Sequence, residues 1–309
     1  INFFNKFIFY FRICFYLMGI KKNSYFIHSS NLKKSNILKV ISFFLRRKKC
    51  LILRCEHSIV LREKNNPTEH SPIIKNQFKE DGDFFLYSSI NDHSFLKYTQ
   101  RKSNIMIGYT RLYKSWINYV GDYTKKYIKF RKGNEKIISL FMPSVVKGIT
   151  EESEVEEWSK TIALNLKKLL PQKSIVIVKP HPLQNKKFLM KILKIIETFS
   201  RSDFSIIHSN LNTAVLANIS DLVVTHHTQA IIDTFAFKTP VIHYQKITKA
   251  WKKYWKKDSH FNYFGVKLIQ TEKDLYKKLK LLIRKKVKTN YKNINEYTNL
   301  SIFKENKCQ

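Results

Sequence analysis

A lysine and a histidine, each followed by a proline, come directly after an apolar run and form the pair of side chains best suited to chemistry. They are Lys179 and His181, and the run before them is Ser174–Val178. A proline fixes its own φ and pushes the preceding residue toward extended backbone, so this loop is stiff and His181 has a set direction. A stiff cation and a hydrogen-bonding imidazole at a strand end suit a phosphate group. An ordinary loop with His181 bonded to backbone is the alternative, and these residues alone leave it open.

A second polar loop, Thr225–Thr228 (THHT), follows another apolar run. Thr228 is predicted to be the N-cap of a helix over Gln229–Phe237. The first N–H groups of that helix and its partial positive charge would attract an anion. His226 and His227 flank the same place, so this loop is a second candidate for binding an anionic ligand.

An aspartate inside that predicted helix and a serine in a third loop complete the set of candidate binding residues. Asp233 lies five residues after Thr228, which is about one and a half helical turns. From there its carboxylate could accept hydrogen bonds from the ribose hydroxyls of a nucleotide, and a solvent-facing aspartate is the alternative. Ser144 follows the apolar run Lys136–Met142, as the other two loops follow theirs.

Metal ligation is not favoured by the pattern of histidines and cysteines. His181, His226 and His227 form a poor set, because adjacent histidines rarely bind one ion from a strand end and no further ligand is obvious. Cys50 and Cys55 are separated by four residues and have no second pair, so a zinc site is not indicated. Four cysteines in a chain of 309 residues are interpreted as reduced thiols of a cytoplasmic protein.

The alternation of strands and helices predicts how these loops are positioned. From Lys136 onward, apolar runs alternate with amphipathic segments, which indicates βαβ units and a parallel sheet. Ligands of such sheets bind at the carboxyl ends of the strands, where all three loops fall. The predicted strands are Lys136–Met142, Ser174–Val178, Phe204–His208, Asp221–Val224, Pro240–His243 and Val266–Ile269. The predicted helices are Glu151–Leu170, Lys186–Phe199, Leu211–Ile219, Gln229–Phe237 and Glu272–Arg284.

The region before Lys136 is less regular. Cys50–Cys55, Asp83–Ser88 and Asn104–Gly108 are predicted strands that are separated by basic connectors. Aromatic residues recur at spacings of three and four over Leu112–Lys132, which predicts a helix that packs its aromatic stripe on a neighbour. A stacking platform for a ligand or glycan is the alternative.

The chain carries a large positive charge, with 57 Lys and Arg residues against 23 Asp and Glu and a formal net charge of +34. Hydrophobic residues make up 43% of it, which is enough for packed cores and excludes global disorder. The lysine excess is interpreted as the combined result of a genome rich in AT codons and a general preference for anionic partners, such as nucleotide diphosphates and an anionic membrane surface. A nucleic-acid partner is not favoured, because neither finger spacing nor an RNP-type strand is present.

The first stretch, Ile1–Ile20, is strongly apolar but is interrupted by Lys6 and Arg12. We expect a buried or membrane-surface segment, and a membrane-spanning helix of about 20 apolar residues is the alternative. The pattern of a signal peptide is not visible. Because the chain begins with Ile and not Met, either its start codon is unusual or its N-terminus is missing, so a truncated N-terminal domain is part of the expectation.

Two segments resemble the C-terminal domain of GT-B-fold enzymes of surface-polysaccharide synthesis. They are Ile175–Pro182 (IVIVKPHP) and Ser220–Tyr244 (SDLVVTHHTQAIIDTFAFKTPVIHY). The similar families are the CDP-glycerol glycerophosphotransferases, the capsule polysaccharide transferases and the UDP-N-acetylglucosamine 2-epimerase-like proteins. Asn104–Trp116 is similar to the segment before their interdomain linker, and Phe141–Ser144 resembles the opening strand and turn of the same domain.

The resemblance extends to individual positions and fails at two of them. The matching residues are Lys179, His181, Asp221, Thr228, Asp233 and Pro240-Val241-Ile242. Lys238 stands where those families usually have glycine. Those families often have a His-Gly pair near the middle of their N-terminal domain, and His57, within Glu56-His57-Ser58, matches it only weakly.

The resemblance implies an α/β chain with two Rossmann-like domains of the GT-B type and a parallel sheet in the C-terminal domain. The expected domains are an acceptor-side N-terminal domain over residues 1–135 and a nucleotide-donor-binding domain over residues 136–290. A basic tail would follow over residues 291–309.

The resemblance also implies a metal-independent transferase that needs no cofactor. It would move a sugar or polyol phosphate from a nucleotide-activated donor to a surface polysaccharide, with a glycan or lipid-linked acceptor. Lys179, His181 and the helix start at Thr228 would stabilise the phosphate-bearing leaving group, and Asp233 would hold the ribose. The N-terminal domain would supply the general base, for which His57 is the candidate.

Such an enzyme would work in the cytoplasm, as a peripheral protein on the inner face of the plasma membrane. Two alternatives remain open from the sequence. One is a UDP-N-acetylglucosamine 2-epimerase-like enzyme, which shares the fold and the nucleotide site. The other is a non-catalytic basic protein that binds a membrane or nucleic acid.

Overall fold

The computed structural model of the chain describes residues 19–28, 36–55, 83–87, 104–107, 109–128, 135–143, 145, 150–182, 184–200, 204–226, 228–246, 260–284, 289–292 and 294. Contacts divide these residues into two compact units, one formed before Arg111 and one from Arg111 onward. The boundary expected from the sequence lies later, between residues 135 and 136. The predicted aromatic helix therefore belongs, by its contacts, to the second unit.

The first unit contains a parallel sheet of four strands in the order β1-β2-β3-β4, as far as the structure describes it. The strands are β1 (Tyr25–His28), β2 (Leu51–Cys55), β3 (Phe84–Tyr87) and β4 (Asn104–Met106), and helix α1 (Asn36–Arg47) lies between β1 and β2 in the chain. Leu45, Cys50 and Ile52 form its small buried core. The last three strands confirm predicted ones, whereas β1 and α1 were not predicted.

The second unit contains a parallel sheet of six strands among its described residues. Its strands are β5 (Ile137–Phe141), β6 (Ile175–Lys179), β7 (Ser205–His208), β8 (Leu222–Thr225), β9 (Val241–Tyr244) and β10 (Leu268–Ile269). Its helices are α2 (Lys114–Ile128), α3 (Glu152–Leu169), α4 (Lys186–Ser200), α5 (Thr213–Ile219), α6 (Ile231–Ala236) and α7 (Glu272–Arg284). Every predicted strand and helix of this region is present, with bounds that differ by a few residues.

The order of the strands in this sheet is β10-β9-β8-β5-β6-β7. Numbered from 1 to 6 along the chain and read from β7, the strands follow the order 3-2-1-4-5-6 of dinucleotide-binding folds. The order reverses between β5 and β8, which are direct neighbours. In open parallel sheets ligands bind outside the carboxyl ends of the strands at such a reversal, so this edge positions the candidate site.

The main core lies on the face of the sheet that is covered by α3, α4 and α7. Alternate residues of β5, Ile138 and Leu140, are fully buried there against residues of these helices. Helix α3 begins with a capping box, in which Glu151 and Glu154 satisfy each other's backbone N–H groups. Its first turn is acidic and its last turn is basic, which suits the helix dipole as the sequence predicts.

A smaller core joins α2 to α5. Val120 of α2 is buried against Ala214 and Val215 of α5, and Trp116 packs at its side. The aromatic helix therefore does pack on a neighbour, although Tyr119 remains 63% exposed and stacks on Trp116 of the same helix.

A short segment near residue 290 covers α6. The N–H of Thr289 donates to the carbonyl of Lys238 at 3.1 Å, and the hydroxyl of Tyr291 donates to the carbonyl of Thr239. The Tyr291 ring contacts Phe235, with the ring centroids 4.4 Å apart. Tyr291 lies in the region that the sequence assigns to a basic tail, yet it is tied to the second unit.

Within the described ranges, no helix has both the length and the apolar character needed to cross a bilayer. Residues 1–18, on which the expectation of a membrane-surface segment rests, lie outside those ranges.

Candidate functional site

The carboxyl ends of β6, β5 and β8 lie side by side. Phe141, the last residue of β5, pairs with Lys179 of β6 on one side and with Thr225 of β8 on the other. The N–H of Met142 donates to the carbonyl of Lys179 at 3.0 Å, which continues the pairing past the strand end. The loops that start at Lys179 and Thr225 therefore leave the sheet as next neighbours of the end of β5. Ser144, His227 and His57 lie outside the described residues.

Lys179 and His181 are both half-buried after β6. Burial lowers the pKa of the Lys179 amine. Burial and, second, the nearby charge of Lys179 lower the pKa of His181, so its imidazole is neutral at pH 7. The carbonyl of His181 accepts the N–H of Gln184 at 2.9 Å, which turns the chain back toward α4. The loop thus presents one cation and one neutral imidazole that still reach solvent.

His226 directly follows β8 and is only 2% exposed. Burial lowers its pKa to about 3, so the ring is neutral throughout the physiological range. Its Nδ1 atom has no hydrogen-bond partner among the described residues, and its ring makes an edge contact with Trp158, with the centroids 6.3 Å apart. Trp158 is itself fixed by a hydrogen bond of 2.9 Å from its Nε1 to the carbonyl of Tyr244.

In the described part of the chain, several buried polar atoms at this edge of the sheet have no hydrogen-bond partner. Besides Nδ1 of His226, they include Oε1 of Gln184 after β6 and Oε1 of Gln245 directly after β9. Most buried polar atoms in proteins do have partners, and an exception calls for an explanation. Because these three atoms follow three strands of one sheet edge, they are candidates for hydrogen bonds to a ligand.

Thr228 is not the N-cap of the next helix, which corrects the prediction. Helix α6 starts at Ile231, and its N-cap is Ala230, which has helical backbone angles and no side-chain cap. The preceding residues form a tight turn, because the carbonyl of Thr228 accepts the N–H of Ile231 at 3.3 Å. The Thr228 hydroxyl accepts the N–H of Ala230 at 3.4 Å, so it satisfies the turn and not the helix.

Asp233 is fully buried, so the alternative of a solvent-facing aspartate is wrong. Its Oδ2 accepts a hydrogen bond from Nη1 of Arg111 at 2.9 Å and another from the hydroxyl of Thr213. Burial raises the pKa of Asp233, and the charge of Arg111 and the bond from Thr213 oppose that rise. Its Oδ1 atom has no hydrogen-bond partner within the ranges that the structure describes. Sequence reasoning missed Arg111, although it lies within Asn104–Trp116, a segment that resembles the GT-B pattern.

Lys238 has a backbone φ of 54°, in the left-handed region. It follows α6, where its N–H donates to the carbonyl of Phe235 at 3.2 Å and the N–H of Thr239 donates to that of Thr234 at 3.0 Å. Glycine is the residue that adopts this conformation without steric cost. The families that the sequence resembles usually have glycine at this position. The left-handed backbone explains that preference.

Comparisons with known proteins bear on the fold. The chain matches no family model, and no curated protein matches its sequence. A variant of the wall teichoic acid polymerase TagF has 13% identity and a TM-score of 0.53 over 88% of this chain and 70% of that one. The TagF variant soaked with CDPG has 14% identity and a TM-score of 0.54 over 85% and 64%. The S. aureus MnaA–UDP co-structure has 13% identity and a TM-score of 0.53 over 89% and 73%.

At these identities the likeness concerns the fold alone. The chain is an α/β protein with parallel sheets, in line with Rossmann-like proteins of the GT-B type, which confirms the predicted fold class. Among the described residues, no group of three or more His, Cys, Asp or Glu side chains is placed to hold a metal ion.

Proposed function

We propose that the protein is a transferase that moves a sugar or polyol phosphate from a nucleotide-activated donor to a surface polysaccharide acceptor. The observation that carries this proposal is the position of Lys179, His181 and His226. They lie at the end of, or directly after, the two strands that flank β5, at the reversal of strand order where such sheets bind ligands. Lys179 supplies a cation and His181 a neutral imidazole that both still reach solvent, so together they can bind a charged phosphate and uncharged sugar hydroxyls, while the buried His226 supports the same edge.

The proteins whose folds resemble that of this chain support a donor that contains a nucleotide. The TagF variant is described with CDPG and MnaA with UDP. In both, a nucleotide-containing ligand is compatible with this architecture. We therefore place a nucleoside diphosphate derivative, as substrate and not as cofactor, at the carboxyl edge of β5, β6 and β8.

In the proposed reaction the acceptor hydroxyl forms a bond to the transferred carbon or phosphorus atom. The bond from that atom to the donor's phosphate oxygen breaks, and negative charge builds on the departing nucleotide. Lys179 and a hydrogen bond donated by His181 would stabilise that charge without a metal ion. The proton of the acceptor passes to a general base, for which His57 stays the candidate.

A thermal-shift screen with UDP, CDP, GDP and CMP tests the donor site. We expect at least one of these nucleotides to raise Tm by several degrees, because a ligand at 100 times its Kd stabilises the folded state by about 2.7 kcal/mol. Turnover is then measured with donors that carry the nucleotide found. If none of the four raises Tm, the proposed function is wrong.

The same assays separate the other candidate functions. An epimerase would convert a UDP-sugar to product without any acceptor. A basic binding protein would give no turnover, and its binding to random duplex DNA would weaken steeply as salt is raised. Product that forms only when donor and acceptor are both present would identify a transferase.

A further inference from the structure

The buried carboxylate of Asp233 joins three segments that are far apart in the chain. One carboxylate oxygen accepts hydrogen bonds from both Arg111 and Thr213. Arg111 lies in a short 3-10 helix, Thr110–Leu112, ahead of α2, and Thr213 is the first residue of α5. The carboxylate thereby fixes both a guanidinium and the start of a helix relative to α6.

The two members of the ion pair differ strongly in exposure. The side chain of Asp233 is 1% exposed, whereas that of Arg111 is 43% exposed. One end of the pair is therefore sealed inside the protein, and the other end reaches solvent. A guanidinium carries five N–H donors in a planar fork, so it can hold a carboxylate on one side and bind an anion on another.

Arg111 is brought to the same edge of the sheet as the β6 loop. Helix α5 follows the carboxyl end of β7, and Asp233 lies in the first turn of α6, which follows the carboxyl end of β8. A guanidinium that bonds to Asp233 therefore adds a second cation to the edge that already carries Lys179. Guanidinium groups bind phosphate oxygens through paired N–H bonds, with a geometry that lysine cannot provide.

We propose that Arg111 is a binding residue for the diphosphate of the donor and that Asp233 is a positioning residue that holds Arg111 in place. This inference rests on the proposed function, because it names a further contact at the same donor site. It gives Asp233 a role that differs from the ribose binding predicted from the sequence. Burying a carboxylate for the sake of an ion pair is an inefficient way to stabilise a fold. The ion pair is better explained by the fixed direction that it gives to the Arg111 guanidinium.

Calorimetric titration with nucleoside diphosphates and their nucleosides tests the role of Arg111. The probes are UDP with uridine, CDP with cytidine and GDP with guanosine. For the pair that binds, we expect Arg111→Gln to raise the Kd of the diphosphate about tenfold or more and to leave that of the nucleoside within about twofold. The control is Arg284→Gln, which removes an exposed arginine at the end of α7 and should change neither Kd.

Arg111→Gln leaves the buried Asp233 without its counterion, so that variant can fail to fold. The double variant Arg111→Gln/Asp233→Asn replaces the pair with two neutral side chains that can still hydrogen-bond. We expect it to fold, as judged by circular dichroism, and to show the same selective loss of diphosphate binding.

Asp233→Asn alone separates positioning from ribose binding. If Asp233 positions Arg111, this variant weakens binding of the diphosphate and spares the nucleoside. If the diphosphate and the nucleoside weaken by equal factors, Asp233 contacts the ribose and the inference is overturned.

The outcomes also distinguish this inference from the proposed function. If the parent protein binds none of UDP, CDP, GDP and CMP, the proposed function fails and the role of Arg111 fails with it. If it binds CMP but none of the three diphosphates, only the role of Arg111 is wrong. If the parent binds one of them and the double variant binds it equally well, only the role of Arg111 is wrong.

Discussion

The two sides of the candidate site treat their polar groups differently. After β6, Lys179 and His181 are half-buried and still reach solvent. After β8, His226 and Asp233 are almost completely buried. A side chain that reaches solvent can bind a ligand directly, whereas a buried one acts by holding another group or by setting the stability of the fold. The site therefore has a contacting side after β6, with Lys179 and His181, and a supporting side after β8, with His226 and Asp233. We expect substitutions on the two sides to have different consequences.

The largest effect on activity is expected on the contacting side. Lys179→Ala and His181→Ala should each lower kcat/KM by about 10²–10³-fold, because each removes a group that stabilises developing negative charge. Their effect on Tm should be small, since both side chains are half-exposed. The measurement is steady-state kinetics with the donor that the nucleotide screen identifies.

Lys168→Ala is the matched control, because Lys168 is an exposed lysine in the last turn of α3. If Lys179→Ala and His181→Ala retain the kcat/KM of this control, the β6 loop does not contact the leaving group. The distinction between a contacting side and a supporting side would then be wrong.

The supporting side should show its effect in the dependence of stability on pH. Burial lowers the pKa of His226 from 6.5 to about 3, so the unfolded chain binds more protons than the folded one between these values. The contribution of the neutral His226 to the free energy of unfolding is therefore fully present above pH 6.5. It falls as the pH drops toward 3, by up to about 1.4 kcal/mol per pH unit. Urea denaturation at pH 7, 6 and 5 measures this slope.

His226→Gln should flatten that slope, because glutamine does not titrate. His208→Gln, at an exposed histidine of β7, is the matched control for replacing a histidine with glutamine. An equal slope in the parent and in His226→Gln would contradict the burial of a neutral imidazole after β8.

The smallest effect is expected at the end of α6. Lys238→Gly relieves a lysine with a φ of 54°, and we expect the free energy of unfolding to rise by about 1 kcal/mol. Lys267→Gly, at another exposed lysine whose φ is not in the left-handed region, should lower it instead. Both changes are read from urea denaturation at pH 7. A destabilised Lys238→Gly variant would mean that the lysine side chain contributes more than its backbone strain costs.

The parallel sheet of the second unit could be predicted because its strands are short β-branched runs between amphipathic helices. The run IVIVK, for example, has only the pattern of a strand buried on both faces. In the first unit, β1 (YFIH) was not predicted, because Phe26 and Ile27 are its only side chains without a polar group and no longer apolar run marks it. The pattern of alternation thus predicts a repeated architecture well and an isolated short element poorly.

The candidate site could be predicted less well than the sheet. The KPHP and THHT loops were found because each follows a predictable strand. The bond between Arg111 and Asp233 joins residues 122 positions apart, and local patterns carry no information on such a pairing. The letters THHT also suggest a polar surface loop, yet His226 is enclosed because it directly continues a buried strand beside Trp158.

The segment that covers α6 has a consequence for the order in which the chain becomes structured. The carbonyls of Lys238 and Thr239 receive hydrogen bonds from Thr289 and from the hydroxyl of Tyr291. During synthesis, α6 and its flanking turn therefore stay unfinished until residue 291 has left the ribosome, long after β9 has been made. At about 5–20 residues per second, this interval is several seconds. Throughout that time, the ring of Phe235 lacks the Tyr291 ring that packs against it in the finished protein.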